Sequence, residues 1–543
     1  MRETQDPNPL AAILVAGAIG LLTAAAPRAT APSTAPPSRA AAVTPRPLRE
    51  ALPAIVFVTR DPLSGAQAGQ VPGLGPQGAF RVSRGALMER ASDGNVRSLL
   101  TADRMLDVSD PAVSPDGSQV AFAGRERGGA RWRIWQVGRS GGEPFCVSCG
   151  EPGLDPPADD TDPCWWGDSL VFVSTRAGGN SLYDRSPVTQ LYLLPPAGKP
   201  ERLTYESNGA LDPVHDPRTG RLVFARWWFN PWTSAATSGL TRDVRAAVTP
   251  DSVNLWQVVS AAMTRDERGR AALADVRLAA GGTVPRRRGM GVQPTPYGAN
   301  DWLAVTARNT GLAPRPGMLS LQRYGAPPSA GTRMAGAAIG DDHGDPYTEN
   351  SNLAAPAACA PVALADGRVL LSLDPSGRGD FGLWLLSADG DTRERLLDYT
   401  RTLELDATLV PAAVSRAAAR ARSAPTAAAL ASPPPRMFRF LDTDVFAGAG
   451  APARVSDARL RVYRLVAADS VELVHDVPVP RAGRIELALP ADTPLFEQLT
   501  DARGRALMTA HGPAQVRGFN TGADGTTTRC IGCHLGHSTL SAR

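Results

Sequence analysis

Near the end of the chain stands Cys530-Ile-Gly-Cys-His534, two thiols three positions apart with a histidine directly behind the second. That spacing lets the thiols reach the two vinyl groups of one haem and form thioethers, while the adjacent imidazole meets the iron from one side. Gly532 removes side-chain bulk where the peptide lies against the porphyrin edge. Cys530 and Cys533 are thus the expected attachment points of one covalent haem c, and His534 its proximal iron ligand. A structural zinc site is the alternative, but it needs two further ligands; His537 is a possible third and no fourth lies nearby. On a helix His537 would share the face of His534, so it cannot reach the opposite side of the same iron. The distal candidates are His511 and Met508 just upstream, His475 in the same region, and His343 in the acidic loop Gly340-Asp-Asp-His-Gly-Asp. An open distal position would instead admit a small molecule to the iron.

The other thiols are a lesser signal. Cys146-Val-Ser-Cys149 has the two-residue spacing without a following histidine, so it is not a second haem site. It can close a local disulfide, pair with Cys164 or Cys359 in an oxidising compartment, or join His215 in a metal site. Four cysteines allow three full pairings, and spacing alone does not choose among them. The aromatic stretch Arg226-Trp-Trp-Phe-Asn-Pro-Trp232 suits either blade packing or a cavity wall.

The elements that must position these groups are legible in composition and repetition. The 543 residues are 43% hydrophobic and 20% charged, with 53 glycines and 49 prolines. So many turn-formers exclude a long helical bundle and favour short strands joined by turns. A net charge of +4 over this length gives no chain-wide footprint for nucleic acid. A repeat begins near Ile55. Its clearest copy is Asp110-Pro-Ala-Val-Ser-Pro-Asp-Gly, then Val120-Ala-Phe-Ala-Gly and Trp132-Arg-Ile-Trp-Gln-Val. Further copies start at Asp162-Pro and Asp212-Pro, with weaker ones over residues 294–322 and 360–386 and a first unit over 54–89. The Asp-Gly and Thr-Gly pairs read as tight turns between alternating strands, since glycine tolerates positive φ. Each unit is a meander with two apolar faces that only stacked neighbours can cover, which predicts an all-β, six-bladed β-propeller. Residues 403–410, Leu-Glu-Leu-Asp-Ala-Thr-Leu-Val, belong to no unit and are expected to return and complete the first blade.

The domain plan that follows is a leader and Pro/Ala-rich linker over 1–47, the propeller over 48–411, an Ala/Arg/Pro linker over 412–436, and a small β-sandwich-like domain over 437–543 that carries the haem motif. Residues 10–26 form an uncharged apolar run, short for a membrane span and long for a signal-peptide core. They are expected to be an export signal or an N-terminal membrane anchor. Either places the bulk of the protein in the periplasm or another extracytoplasmic space, where c-type haem is attached. A redox partner protein is the expected partner.

Taken together, the repeats resemble the TolB-type propeller family. The order of Asp160-Thr-Asp-Pro, Gly220-Arg-Leu-Val-Phe-Ala-Arg-Trp227, Leu489-Pro-Ala-Asp-Thr-Pro-Leu-Phe and Cys530-Ile-Gly-Cys-His-Leu-Gly-His537 resembles the hydrazine synthase α-subunit family. That resemblance implies a propeller followed by a c-type haem domain, with Cys530, Cys533 and His534 as the haem-binding residues. It also raises a haem-dependent oxidoreductase acting on a small nitrogenous or peroxidic substrate; a propeller module binding protein or glycan, with an accessory haem, is a further alternative. The chain departs from the family pattern at Ser538, where the active-site haem has a tyrosine, and with nine residues given after His534 no second haem domain is expected.

Overall fold

The computed structural model describes residues 47–541 except 102, 151–156, 182–184, 205, 207, 231–252, 266–269, 281–289, 308–315, 326–331, 337–355, 412–436, 448–450, 468–469, 491–494, 510–511, 515–526 and 531–539. The expected leader over 10–26 and the loop holding His343 lie outside the described residues.

Six four-stranded antiparallel sheets follow one another along the chain and form the blades of a propeller. Their inner strands are Leu403–Leu409, Met105–Val113, Asp160–Trp166, Gly209–Asp216, Met290–Tyr297 and Ala357–Ala363, for blades 1 to 6. Each inner strand touches the next, and the strand of blade 6 touches that of blade 1, so the ring is closed. Closure comes as the leftover segment requires: Leu403–Leu409 pairs antiparallel with Ile55–Arg60, joining the two ends of the propeller in one sheet. Every blade thereby has four strands, and the radial arrangement leaves only short inner edges that face the centre of the ring.

The turns obey the sequence chemistry. In Ser114-Pro-Asp-Gly, Gly117 sits at φ 72° and its N–H donates to the Ser114 carbonyl at 2.8 Å. Asp116 accepts the Ser118 N–H at 3.0 Å, closing the turn a second time. Between the blades lies one continuous core that includes Val58, Phe122, Val171, Phe224, Val305 and Phe381. Trp227 is buried and stacks on Trp256 with ring centroids 5.2 Å apart, so this part of the aromatic stretch packs a blade.

Beyond residue 436 two sheets face each other. One has the order Ile485–Pro490, Met437–Asp442, Thr527–Cys530, Leu540–Ser541; the other has Ser470–Pro478, Arg459–Ala467, Leu495–Thr500. Phe438, Phe440, Leu460, Val462, Leu489, Leu495 and Leu499 form the core of this region, and Arg439 between the two phenylalanines points to solvent. That alternation is what a half-buried strand requires.

Candidate functional site

The Cys530-Ile-Gly-Cys-His534 segment is reached by a strand that the sequence pattern did not announce. Thr527–Cys530 pairs in parallel with Met437–Asp442, and Cys530 stands beside Asp442 in the register. Met437–Asp442 in turn pairs with Ile485–Pro490 and supplies Phe438 and Phe440 to the core. The start of the motif is therefore tied to the middle of a packed sheet rather than to a free tail. Cys533, His534 and His537 lie outside the described residues, as does His511.

Two distal candidates are described. Met508 lies on the short strand Met508–Thr509, which pairs with Gly512–Pro513, and its side chain is exposed. His475 lies on Ser470–Pro478, and its Nε2 is 3.2 Å from the Ala488 carbonyl oxygen on the facing sheet. That bond spends one ring nitrogen on joining the two sheets.

Cys146 and Cys149 form the local disulfide, while Cys164 and Cys359 are free and buried. The metal site imagined from these thiols and His215 is thereby corrected, because the disulfide consumes two of its ligands. His215 instead meets Trp166 edge to face at 4.7 Å, and burial holds its imidazole below the ordinary histidine value. Among the described residues, no group of three or more His, Cys, Asp or Glu side chains is arranged to hold a metal ion.

A second cluster escaped the sequence reading, although its residues open the repeats. Every inner strand carries a β-bulge, and the bulged residue has positive φ: Asp406 (52°), Asp110 (51°), Asp162 (48°), Asp212 (52°), Gln293 (49°) and Ala360 (48°). Aspartate tolerates this region better than most residues, and the proline behind Asp110, Asp162 and Asp212 has no N–H to leave stranded in the bulge. The six positions converge on the propeller axis. Asp406 accepts the Asp110 N–H, Asp162 Oδ2 accepts the Asp212 N–H at 3.4 Å, and Asp212 Oδ2 accepts the Gln293 N–H at 2.8 Å. Gln293 Oε1 then accepts the Ala360 N–H at 2.8 Å. The side chain of one blade thus staples the backbone of the next.

Burial raises all four carboxyls, Asp212 to about 6 and Asp406 to about 7, and repulsion from a neighbouring carboxylate adds to the rise at each. Beside them the Arg60 guanidinium is fully buried, with Nη2 donating to Asp107 Oδ2 at 2.6 Å and Nε to Asp107 Oδ1 at 3.1 Å. Residues 61–84, inserted between the first two strands of the blade-1 meander, reach the inner strand of blade 4 through the turn Gly75–Gly78. This insertion spans the ring. Gly73 sits at φ 89°, where a Cβ would lie 3.1 Å from Ser109 Oγ and 3.2 Å from Arg60 Nη1, so only glycine lets the strap approach.

No family model matches the chain, and no curated protein matches it by sequence. Among solved structures it is similar to hydrazine synthase of Kuenenia stuttgartiensis, with a TM-score of 0.52 and 13% identity over 91% of this chain and 70% of that one. It is also similar to a putative TolB of Agrobacterium tumefaciens, with a TM-score of 0.28 and 12% identity over 66% of this chain and 99% of that one. The likeness to hydrazine synthase is one of fold.

Proposed function

We propose that the protein is an exported c-type cytochrome of the hydrazine synthase α-subunit-like kind, in which the domain beyond residue 436 carries one covalent haem and the propeller serves as scaffold and docking surface for a redox partner. The observation that carries the reading is the pentapeptide Cys530-Ile-Gly-Cys-His534, two thiols and an imidazole in the one order that suits thioether attachment and iron ligation. The donor set fits haem c, and the strand Thr527–Cys530 supports the fit because its parallel pairing places position 530 beside Asp442 of the strand Met437–Asp442. Cys530 and Cys533 would tether the group and His534 would hold the iron. When bound, the haem supplies one-electron exchange. The chain supplies the rest: the parallel pairing fixes where the tether begins, and the phenylalanine core behind it keeps that strand from moving.

A haem-dependent oxidoreductase on a small nitrogenous or peroxidic substrate is the second reading, favoured by the likeness to hydrazine synthase along 91% of the chain. Carbon monoxide separates the two. An absorption spectrum of the reduced, matured protein that does not change when the gas is added would support the electron-transfer reading. Rapid spectral change would assign an open iron and favour the enzyme reading.

A further inference from the structure

The outer strand of blade 2 is only two residues long, Phe145–Cys146, and the disulfide to Cys149 lies at its end. A bridge across two intervening residues removes little freedom from the unfolded chain. The turn it spans has supports of its own. The Val147 N–H donates to the Ile134 carbonyl at 2.9 Å, and the Ile134 N–H donates to Ser148 Oγ at 2.9 Å. Ser148 is buried, and its hydroxyl donates to Asp160 Oδ2 on the inner strand of blade 3 at 2.6 Å. The two residues between the cysteines are thus held both to their own blade and to the next. The cysteines themselves are placed unequally. Cys146 is half-buried, pairs with Trp135 and packs against the propeller core, whereas Cys149 is exposed.

We propose that the Cys146–Cys149 bridge is a thiol–disulfide exchange site for a dithiol substrate, with Cys149 the sulfur attacked and Cys146 the sulfur that leaves. Exchange needs an accessible sulfur and a leaving thiol that stays near enough to return. Exposure of Cys149 supplies the first. The clamped Val147-Ser148 pair supplies the second, since its hydrogen bonds keep the two cysteines together after the bond opens. In the forward step one thiolate of the substrate attacks Cys149 Sγ. A mixed disulfide forms, the Cys146–Cys149 bond breaks, and its electron pair leaves on Cys146 Sγ, which takes a proton from water. The second thiolate of the substrate then attacks the substrate sulfur of the mixed disulfide and expels Cys149 as a thiolate, which is protonated in turn. The substrate gives up two electrons and two protons and becomes a disulfide, while the bridge becomes two thiols. The reverse sequence, with a substrate disulfide, closes the bridge again. A bridge kept for stability alone has no need of an exposed sulfur, and exposed disulfides are the labile class.

The test uses the full chain with Cys530 and Cys533 changed to alanine, so that the fate of the haem reading does not touch it. The other thiols are buried, and burial pushes Cys164 up to about 12 and raises Cys359, which keeps both silent near neutral pH. Folded protein is mixed with excess dithiothreitol, quenched with a maleimide at intervals and mapped by peptide mass spectrometry, while circular dichroism follows the fold. Two new thiols, at Cys146 and Cys149, are expected with the fold intact, at a rate proportional to dithiothreitol concentration. A rate that levels off with concentration, or no reduction short of unfolding, would mean that the bond is reached only after the region opens, and would overturn the site. Single variants with oxidised glutathione then tell the two sulfurs apart. Cys146→Ser, which keeps Cys149, should form its mixed disulfide roughly tenfold or more faster than Cys149→Ser. Equal rates or the opposite order would overturn the assignment. Should either variant fold poorly, the concentration dependence measured on the intact bridge decides the matter.

Discussion

The propeller and the region beyond residue 436 handle buried chemistry in opposite ways. In the propeller, charge is spread over repeats: each blade contributes one residue to the axial ring, and Asp406, Asp162, Asp212 and Gln293 each hold the backbone of the next blade. In the smaller region, an apolar two-sheet core shows no such ring among the described residues and instead steadies one short strand that leads into a single-copy motif. Repetition makes architecture robust and hides chemistry inside it; a lone motif does the reverse. The division also offers a clean probe, because all ten tryptophans lie between residues 132 and 384, so indole fluorescence reports on the propeller alone.

The largest expected effect breaks the axial ring. Arg60→Ala leaves Asp107 buried without its guanidinium, and one-sided removal of a buried ion pair costs about 3–5 kcal/mol. Urea unfolding followed by tryptophan fluorescence should show this loss in full. An unchanged midpoint would mean that Arg60 is not structurally required. The matching change in the smaller region is Phe440→Ala, which empties a side chain 1% exposed and costs about 3–5 kcal/mol there. Tryptophan fluorescence should not register it, whereas proteolysis beyond residue 436 should accelerate; a shift in the indole signal would show that the two regions unfold together.

Removing the local disulfide with Cys146→Ser and Cys149→Ser closes off a smaller contribution, about 2 kcal/mol or less, because the loop it spans is short. A larger fall in the fluorescence midpoint would show that the bridge supports more than its own turn. The smallest effect is in pH. Burial lowers the His215 pKa, so the unfolded chain binds that proton more readily, and stability contributed by the neutral ring is lost as pH falls from about 6.5 toward the lowered folded value. The difference in midpoint between the wild type and His215→Gln should therefore shrink on acidification through that window. A difference independent of pH would show that the imidazole does not titrate in the fold.

What the sequence made legible follows the same division. The Asp-Pro and Asp-Gly phase located the blades because each copy repeats the same turn and strand, and residues 403–410 announced closure by belonging to no copy. The relay was not legible. It exists only once six bulges are brought to one axis, and Gln293 and Ala360 fill two of its positions without the aspartate that marks the others. Likewise Thr527–Cys530 is too short for periodicity, and it pairs with a strand nearly ninety residues earlier. The choice of Cys149 as partner for Cys146, rather than Cys164 or Cys359, also needed geometry: the latter two are buried in inner strands of different blades.

The most direct test of the functional account is a pyridine haemochrome assay on protein matured with a c-type haem assembly system, before and after acid–acetone extraction. One haem per chain that extraction does not remove is expected, and none in the variant with Cys530 and Cys533 changed to alanine. Colour that leaves with the solvent, or an equal haem content in that variant, would contradict it.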